Sequence, residues 1–408
     1  MKDFLTLNDV KVKNKTVILR VDINSPYDET TKKIELSDRL IESAKTVKEL
    51  SDKGAKVVIL AHQGRKGDPD FIPLEQHSQL LTQHVGKNVE FINDIIGEKA
   101  VKRIKNLKEG EIILLDNVRF LDEEAQEKTP EEHSKGQLVQ TLSPLADIFV
   151  NDAFSAAHRS HASIVGFTKV LTSVAGRSME KEINSIKKIF TKMKISKHDT
   201  FVLGGAKPDE PLNVMEFMLA KRTLERVLVA GAIGELFLIT QGYNLGDANM
   251  EFLKKEKYLD YIPQVEKLWK KYKKKIMTPL DVAAEVNGKR QEFSVTELPI
   301  NSQILDIGIK TCVKYAGIIH ESKSIVFKGP TGVYEKEGFE LGTRIILEAI
   351  ADSKGFSLVG GGHTLSALDK LKIDKNRFSH VSLGGGALIV YLSGKKMPGI
   401  EALKNRKV

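Results

Sequence analysis

The chain has 408 residues, 41% of them hydrophobic and 29% charged, with one cysteine and a formal net charge of +9. This length exceeds a single ordinary core and predicts two domains of roughly 150–200 residues. No apolar run reaches the roughly 18–20 residues that span a bilayer, the first residues lack a secretory signal, and the lone Cys312 excludes an intramolecular disulfide and argues against a thiolate metal site. Together these features predict a cytoplasmic protein.

The positive charge suits an anionic partner: nucleic acid, anionic lipid or a phosphorylated small molecule. The densest basic stretch, "KLWKKYKKKI" at 267–276, carries Leu268, Trp269 and Tyr272 at helical spacing. It therefore reads as a solvated helix face before it reads as a nucleic-acid patch. Arginine usage is more telling. Only 13 of the 63 basic residues are Arg, so the surface is solvated mainly by Lys, and each Arg raises the question of a bidentate partner.

In chain order, strands are expected at 16–21, 56–61, 111–115 and 147–150, with a weaker one at 89–92. A helix over 37–50 opens on a Ser37 or Asp38 cap. A long amphipathic helix over 176–193 follows, and then strands at 200–203, 226–230, 324–327, 356–359 and 380–383. Short β-type runs alternating with helices predict an α/β architecture with parallel sheets. In such sheets ligands bind beyond the carboxyl ends of the strands.

The strand tips of the first half share one chemistry. "TVILRVDINSP" (16–26) places Asp22 and Asn24 at the end of an apolar strand, with Arg39 at the next helix start; "HQGR" carries His62 and Arg65; "DNVRF" carries Arg119; "NDAFSAAHRSHAS" carries His158, Arg159 and His161. Taken singly, each Arg is an ordinary surface or ion-pairing residue. Converging on one sheet edge, four guanidinium forks suit a small ligand with two anionic groups, and Asp22 and Asn24 suit the hydroxyl between them.

In the second half the tips turn to glycine: "LGGAK" (203–207), "VAGAIG", "FKGPTG", "VGGGHT" and "LGGGAL". A Gly-rich turn feeding a helix presents backbone N–H groups and a positive dipole end to phosphate oxygens. Five such turns on one edge predict a nucleotide site. There is no P-loop, no protein-kinase signature and no dinucleotide fingerprint with its downstream acid. Lys207 is the one cation inside such a turn; alone it would read as a surface lysine.

These motifs, in order from about residue 4 to residue 403, resemble phosphoglycerate kinases, and "GGGHT" and "GGAKPDEPLN" resemble archaeal members in particular. The resemblance implies two Rossmann-like parallel-sheet lobes facing each other across a cleft. The substrate lobe would cover 1–175 and be completed by a C-terminal tail, 393–408; a joining helix would cover 176–194 and the nucleotide lobe 195–392. The implied reaction is reversible transfer of the acyl phosphate of 1,3-bisphosphoglycerate to ADP, giving 3-phosphoglycerate and ATP, in glycolysis and gluconeogenesis. Asp22, Ile23, Asn24, Arg39, His62, Gln63, Gly64, Arg65, Arg119 and Arg159 would hold the glycerate ligand. Lys207 and Arg39 would stabilise the transferring phosphoryl group. Gly308 of "LDIG", Glu335 (on the ribose), Gly361, Gly362, His363 and Thr364 would bind ATP or ADP. His62 is expected to contact the ligand, and His158 and His161 either to donate to phosphate when protonated or to buttress the arginines.

Three positions depart from the family pattern. Pro211 stands where a second Lys is usual, Lys328 where many members have Asn, and His363 where an acid helps hold magnesium. Neutral imidazole is a poor Mg²⁺ ligand, so the ion is expected to ride mainly on nucleotide phosphates and water, with no protein metal ligand. Hinge closure about the 176–193 helix is expected to bring Lys207 to the phosphoryl group. The rival from another class is a catalytically weakened relative that binds RNA or another polyanion; a dehydrogenase lacks its fingerprint. Monomer and homodimer both remain open.

Overall fold

The computed structural model describes residues 3–195, 198–221 and 224–404. The chain divides into two compact units, Met1–Asn184 with Lys396–Val408, and Ser185–Lys395. The division falls inside the helix Arg177–Ile195, whereas the sequence placed a boundary at each end of that helix.

The first unit is built on six parallel strands. Their spatial order is Val89–Ile92, Ile112–Leu115, Lys56–Leu60, Thr16–Arg20, Ile148–Asn151, Thr172–Ala175. The central strands are buried on both faces, which is why they read as unbroken apolar runs instead of alternating ones. Val17, Leu19 and Val21 enter one core; Ile18 enters the other with Phe149 and Phe167. Ser37 is the cap of the helix Asp38–Asp52, its Oγ accepting from the Leu40 N–H at 3.3 Å, and Asp38 is the first helical residue. The last helix, Pro398–Lys404, joins this unit through a 2.9 Å bond from the Gly399 N–H to the Ala157 carbonyl.

The second unit also has six parallel strands: Ile276–Met277, Arg226–Val229, Asp199–Leu203, Ser324–Lys328, Phe356–Gly360, His380–Ser382 in spatial order. Counted along the chain this is 3-2-1-4-5-6, the doubly wound order whose switch point lies between the first and fourth strands. A three-stranded antiparallel sheet, Lys289–Ser294, Asp281–Val286 and Ile304–Ile307, was not expected. Nor were the short edge strands Thr172–Ala175 and Ile276–Met277.

The basic stretch lies partly on the helix Ile262–Tyr272, which buries Val265 and Leu268 and sets Trp269 edge-on to Phe237 at 6.2 Å. Its lysines occupy the solvated face, as the apolar spacing implied. Among the described residues no helix is long and apolar enough to cross a membrane.

Candidate functional site

In the first unit, the strands Thr16–Arg20 and Ile148–Asn151 are neighbours at the point where the chain reverses its direction of travel across the sheet. Asp22 sits at that point. Its carboxylate accepts from the Asn24 N–H at 3.0 Å and from Ser155 Oγ, and it pairs with Arg39 Nη1 at 3.2 Å. Burial alone would raise its pKa. The Arg39 charge and the two donors outweigh burial and hold Asp22 well below the usual carboxylate range. Asp22 is thus an ionised post that fixes Arg39, whose side chain stays 31% exposed.

Three strand-tip loops are bolted together behind this post. Asn24 Oδ1 accepts from the Gly64 N–H at 3.0 Å. Asn117 Oδ1 accepts from the backbone of Gln63 and Arg119, while its Nδ2 donates to the Gln63 and Ile72 carbonyls at 2.8 and 3.0 Å. Arg119 Nη1 donates to the Gly64 carbonyl. Gln63 is fully buried and spends its amide on Ser25, Asp70 and His77. Ile23 is a core residue. The side chains of these two are therefore committed to building the loops, and only their backbone is left to face a ligand.

The histidines are neutral props. His62 Nδ1 lies 2.9 Å from Arg20 Nη2. Guanidinium has only donors, so Nδ1 accepts and the ring proton sits on Nε2. Burial, then the Arg20 charge, lowers the His62 pKa well below its ordinary value, against the pull of Asp22. Burial followed by Arg159 and Arg20 pushes His161 down to about 3. His158 Nε2 accepts from Arg159 Nε at 3.3 Å. Of the two alternatives for these rings, this geometry favours buttressing over donation by a charged imidazolium.

The cations are undercompensated. Burial, then Arg159 and Arg20, pushes the Arg119 guanidinium down to about 10, and burial followed by Arg65 lowers Arg159. Guanidinium groups that destabilise one another's charge form a site that wants an anion. Sequence reasoning missed Arg20 and Asn117. Arg20 lies inside an apolar strand, and Asn117 looked like the start of the Arg119 motif.

In the second unit the switch point is again where the site forms. The Gly204 N–H donates to the Lys328 carbonyl at 2.9 Å and the Gly205 N–H to the Pro330 carbonyl at 2.7 Å. A Cβ on Gly329, at φ +83°, would meet the Gly204 carbonyl at 2.3 Å, so the two turns can touch only as glycine. Thr364, fully buried, ties the third turn in by accepting from the Gly329 N–H at 3.0 Å. Gly361, at φ +104°, opens the helix Gly362–Lys370, and a Cβ on Gly362 would meet nothing within 4 Å.

These turns wall a polar cavity of about 180 Å³ that holds Lys207, Lys328, Glu210 and the segment Gly361 to Thr364. Gly205, Ala206, Pro330 and His363 also line a second cavity of about 260 Å³, largely apolar, with Leu238, Phe252, Val282, Ile304 and Glu335 on its walls. Lys328 Nζ pairs with Glu210 Oε2 at 3.0 Å, the side chains being 13% and 41% exposed. Pro211 is buried in the first turn of the helix Asp209–Ala220, a position that tolerates proline. Gly308 lines neither cavity. It caps the helix Ile309–Glu321, whose first N–H groups are already taken by Glu292 and Asp281 at 2.8–2.9 Å. Its neighbours Ile304 to Ile307 line the apolar cavity in its place.

Among the described residues no three His, Cys, Asp or Glu side chains are grouped to hold a metal ion. The one carboxylate on the polar cavity, Glu210, is engaged by Lys328. This donor set does not form a protein cage for a divalent cation, although it leaves room for an ion already carried by phosphates.

The phosphoglycerate kinase family model matches residues 7–395. Phosphoglycerate kinase 1 of Methanosarcina acetivorans is 43% identical over 406 residues, covering 99% of this chain and 96% of the relative. The phosphoglycerate kinase of Sulfolobus acidocaldarius is 41% identical over 402 residues, 98% of this chain and 95% of the relative. The crystal structure of phosphoglycerate kinase from Pyrococcus horikoshii OT3 superposes with a TM-score of 0.91 at 38% identity, covering 98% of both chains. That from Coxiella burnetii gives 0.82 at 31%, also over 98% of both. The polyanion-binding rival finds no support in these matches, and the archaeal affinity expected from "GGGHT" does. With a family model over nearly its full length and relatives this similar end to end, the chain belongs to the phosphoglycerate kinase family.

Proposed function

We propose that the chain transfers a phosphoryl group reversibly between 1,3-bisphosphoglycerate and ADP, giving 3-phosphoglycerate and ATP, with the strand tips of the first unit holding the glycerate and the two cavities of the second holding the nucleotide. The observation that carries the nucleotide assignment is the shared wall of the two cavities: Gly205, Ala206, Pro330 and His363 line both a glycine-walled cationic chamber and an apolar one, side by side as phosphates and a base would be. The apolar cavity takes the base, with Glu335 at the ribose, and the polar one takes the phosphates.

Phosphoryl transfer asks for positioning and charge neutralisation, and a carboxylate acceptor needs no general base. Arg65, Arg119 and Arg159 bind the anionic ends of the glycerate, and Asp22 and Asn24 orient its hydroxyl. His62 supplies a neutral Nε2–H donor. Arg39 and Lys207 meet the group in flight. Lys328 supplies the second cation that Pro211 cannot, exchanging Glu210 for nucleotide phosphate. Magnesium enters as part of the Mg-nucleotide substrate and neutralises phosphate charge there. A cytoplasmic location agrees with this reading.

The test is a coupled assay with 3-phosphoglycerate, Mg-ATP and a downstream NADH-oxidising dehydrogenase. Turnover is expected, with kcat/KM for 3-phosphoglycerate falling by about 10²-fold or more in Arg39→Ala. Salt-sensitive RNA binding without turnover would overturn the reading. Transfer also requires the two ligands to meet. The radius of gyration from solution scattering is expected to shrink when 3-phosphoglycerate and nucleotide are both present, and equal curves would count against hinge closure.

A further inference from the structure

The apolar cavity contains a group that no part of the phosphoryl-transfer mechanism uses. Glu235 lies on the helix Gly231–Thr240, sharing its cavity-lining face with Ala232 and Leu238. It is only 8% exposed. Among the described residues its carboxyl group has no hydrogen-bond or ion-pair partner. The buried carboxylates nearby are not like this. Asp306 is held by Arg290 Nη1 at 2.9 Å and the Gly342 N–H at 2.7 Å, and Asp281 by Thr311 and Lys310. An unpaired carboxyl facing an apolar cavity is costly unless a ligand completes it.

We propose that Glu235 is the nucleobase-reading residue of this enzyme: as a neutral carboxylic acid it pairs with the donor–acceptor edge of adenine, so that adenine-nucleotide binding requires its proton. This rests on the cavity being the base site. Adenine presents an N6–H donor beside the N1 or N7 acceptor. A protonated carboxyl has one O–H donor and one carbonyl acceptor, matching both. The ionised group has only acceptors. It would set a lone pair against adenine N1 or N7, yet it would suit the adjacent N1–H and N2–H donors of guanine.

The burial of Glu235 favours the neutral form. Burial raises the Glu235 pKa to about 8, and burial is its only cause. The other ionisable groups on the cavity are Asp306, Glu335 and His363. The elements packed on its helix carry Arg226, Asp260 with Tyr258 and Tyr261, and Glu266 with Lys267, Lys270, Lys271 and Tyr272. None of these is a partner of Glu235.

The experiment measures kcat/KM for ATP and for GTP at pH 6.5 and 8.5 with saturating 3-phosphoglycerate. Ionisation of the phosphates and of every other protein group is common to both nucleotides and cancels in the ratio. A group titrating at about 8 is nearly all protonated at the lower pH and about one-quarter protonated at the higher, so the ATP/GTP ratio is expected to fall at least about fourfold. Glu235→Gln keeps a donor and an acceptor without ionising, and its ratio should be flat. A flat wild-type ratio, or a Gln variant that still shows the fall, would overturn the inference while leaving the kinase reading standing. Loss of turnover with both nucleotides in the wild type would instead overturn the kinase reading. Should the Gln variant not fold, calorimetry of the wild type at pH 8.5 in buffers of differing ionisation enthalpy decides: ADP is expected to take up more protons than GDP, and equal uptake would refute the proposal.

Discussion

Replacing Lys207 with alanine is expected to lower kcat by about 10²–10³-fold while changing the KM for 3-phosphoglycerate by less than about twofold. Lys207 is exposed on the polar cavity and pairs with no side chain among the described residues. A cation that meets the phosphoryl group only as it moves contributes to the transition state and not to ground-state binding. Lys328 should behave differently. It is mostly buried and already neutralised by Glu210, so in the proposed mechanism it would bind nucleotide by exchanging a half-exposed carboxylate for phosphate. Lys328→Ala is therefore expected to raise the KM for ATP about tenfold, with a smaller loss of kcat. Steady-state kinetics of the two single variants and the double variant checks this split. Equal effects of both lysines on KM, with kcat retained, would mean that neither cation acts on the transferring group.

The parts of this architecture that were legible in the sequence follow from one physical fact. A parallel strand covered on both faces is apolar throughout, so the first polar residue after it marks the sheet edge where ligands bind. Asp22, His62 and Lys207, each the first polar residue after its expected strand, were singled out as candidates that way. Cross-loop bonding has no such signal. Nothing local distinguishes Gln63, which is spent on Ser25, Asp70 and His77, from its exposed neighbour Arg65. Gly308 stood one residue beyond a cavity-lining strand, and the sequence does not reveal that Asp281 and Glu292 occupy its helix terminus.

The antiparallel sheet, by contrast, carried a readable sign. Asn287 and Gly288, at φ 51° and 75°, form the two-residue left-handed turn that an Asn-Gly pair between alternating segments announces. Glu235 was concealed for the opposite reason: "GAIGELFLIT" is apolar nearly all round, and one acid in such a helix looks like its solvent side until a cavity is found there.

Arg20 was the most consequential residue to be overlooked, and Arg20→Met is expected to cost about 3 kcal/mol of stability in the first unit. The side chain is 1% exposed. Its Nε donates to Ser163 Oγ at 2.8 Å, Nη1 to the Val21 carbonyl and Nη2 to His62 Nδ1 at 2.9 Å. Methionine fills much of the volume but leaves those acceptors unpaired and Glu124, buried beside Ser163, without its compensating charge. For a unit of this size the loss corresponds to a fall in Tm of roughly 6–12 °C. A purely structural role would end there. Arg20 is also the largest charge effect lowering the His62 pKa, second only to burial, and it fixes which ring nitrogen carries the proton. In Arg20→Met the His62 pKa should rise, while burial, Arg119 and Arg159 still hold it below its ordinary value, shifting a His62 ionisation upward in the pH profile of kcat/KM for 3-phosphoglycerate. Arg20→Lys keeps the charge without the fork. It should recover little of the stability but hold His62 neutral. Ring-nitrogen NMR of His62 in the three proteins separates the outcomes: an unshifted His62 pKa in a destabilised Arg20→Met would leave Arg20 as packing alone.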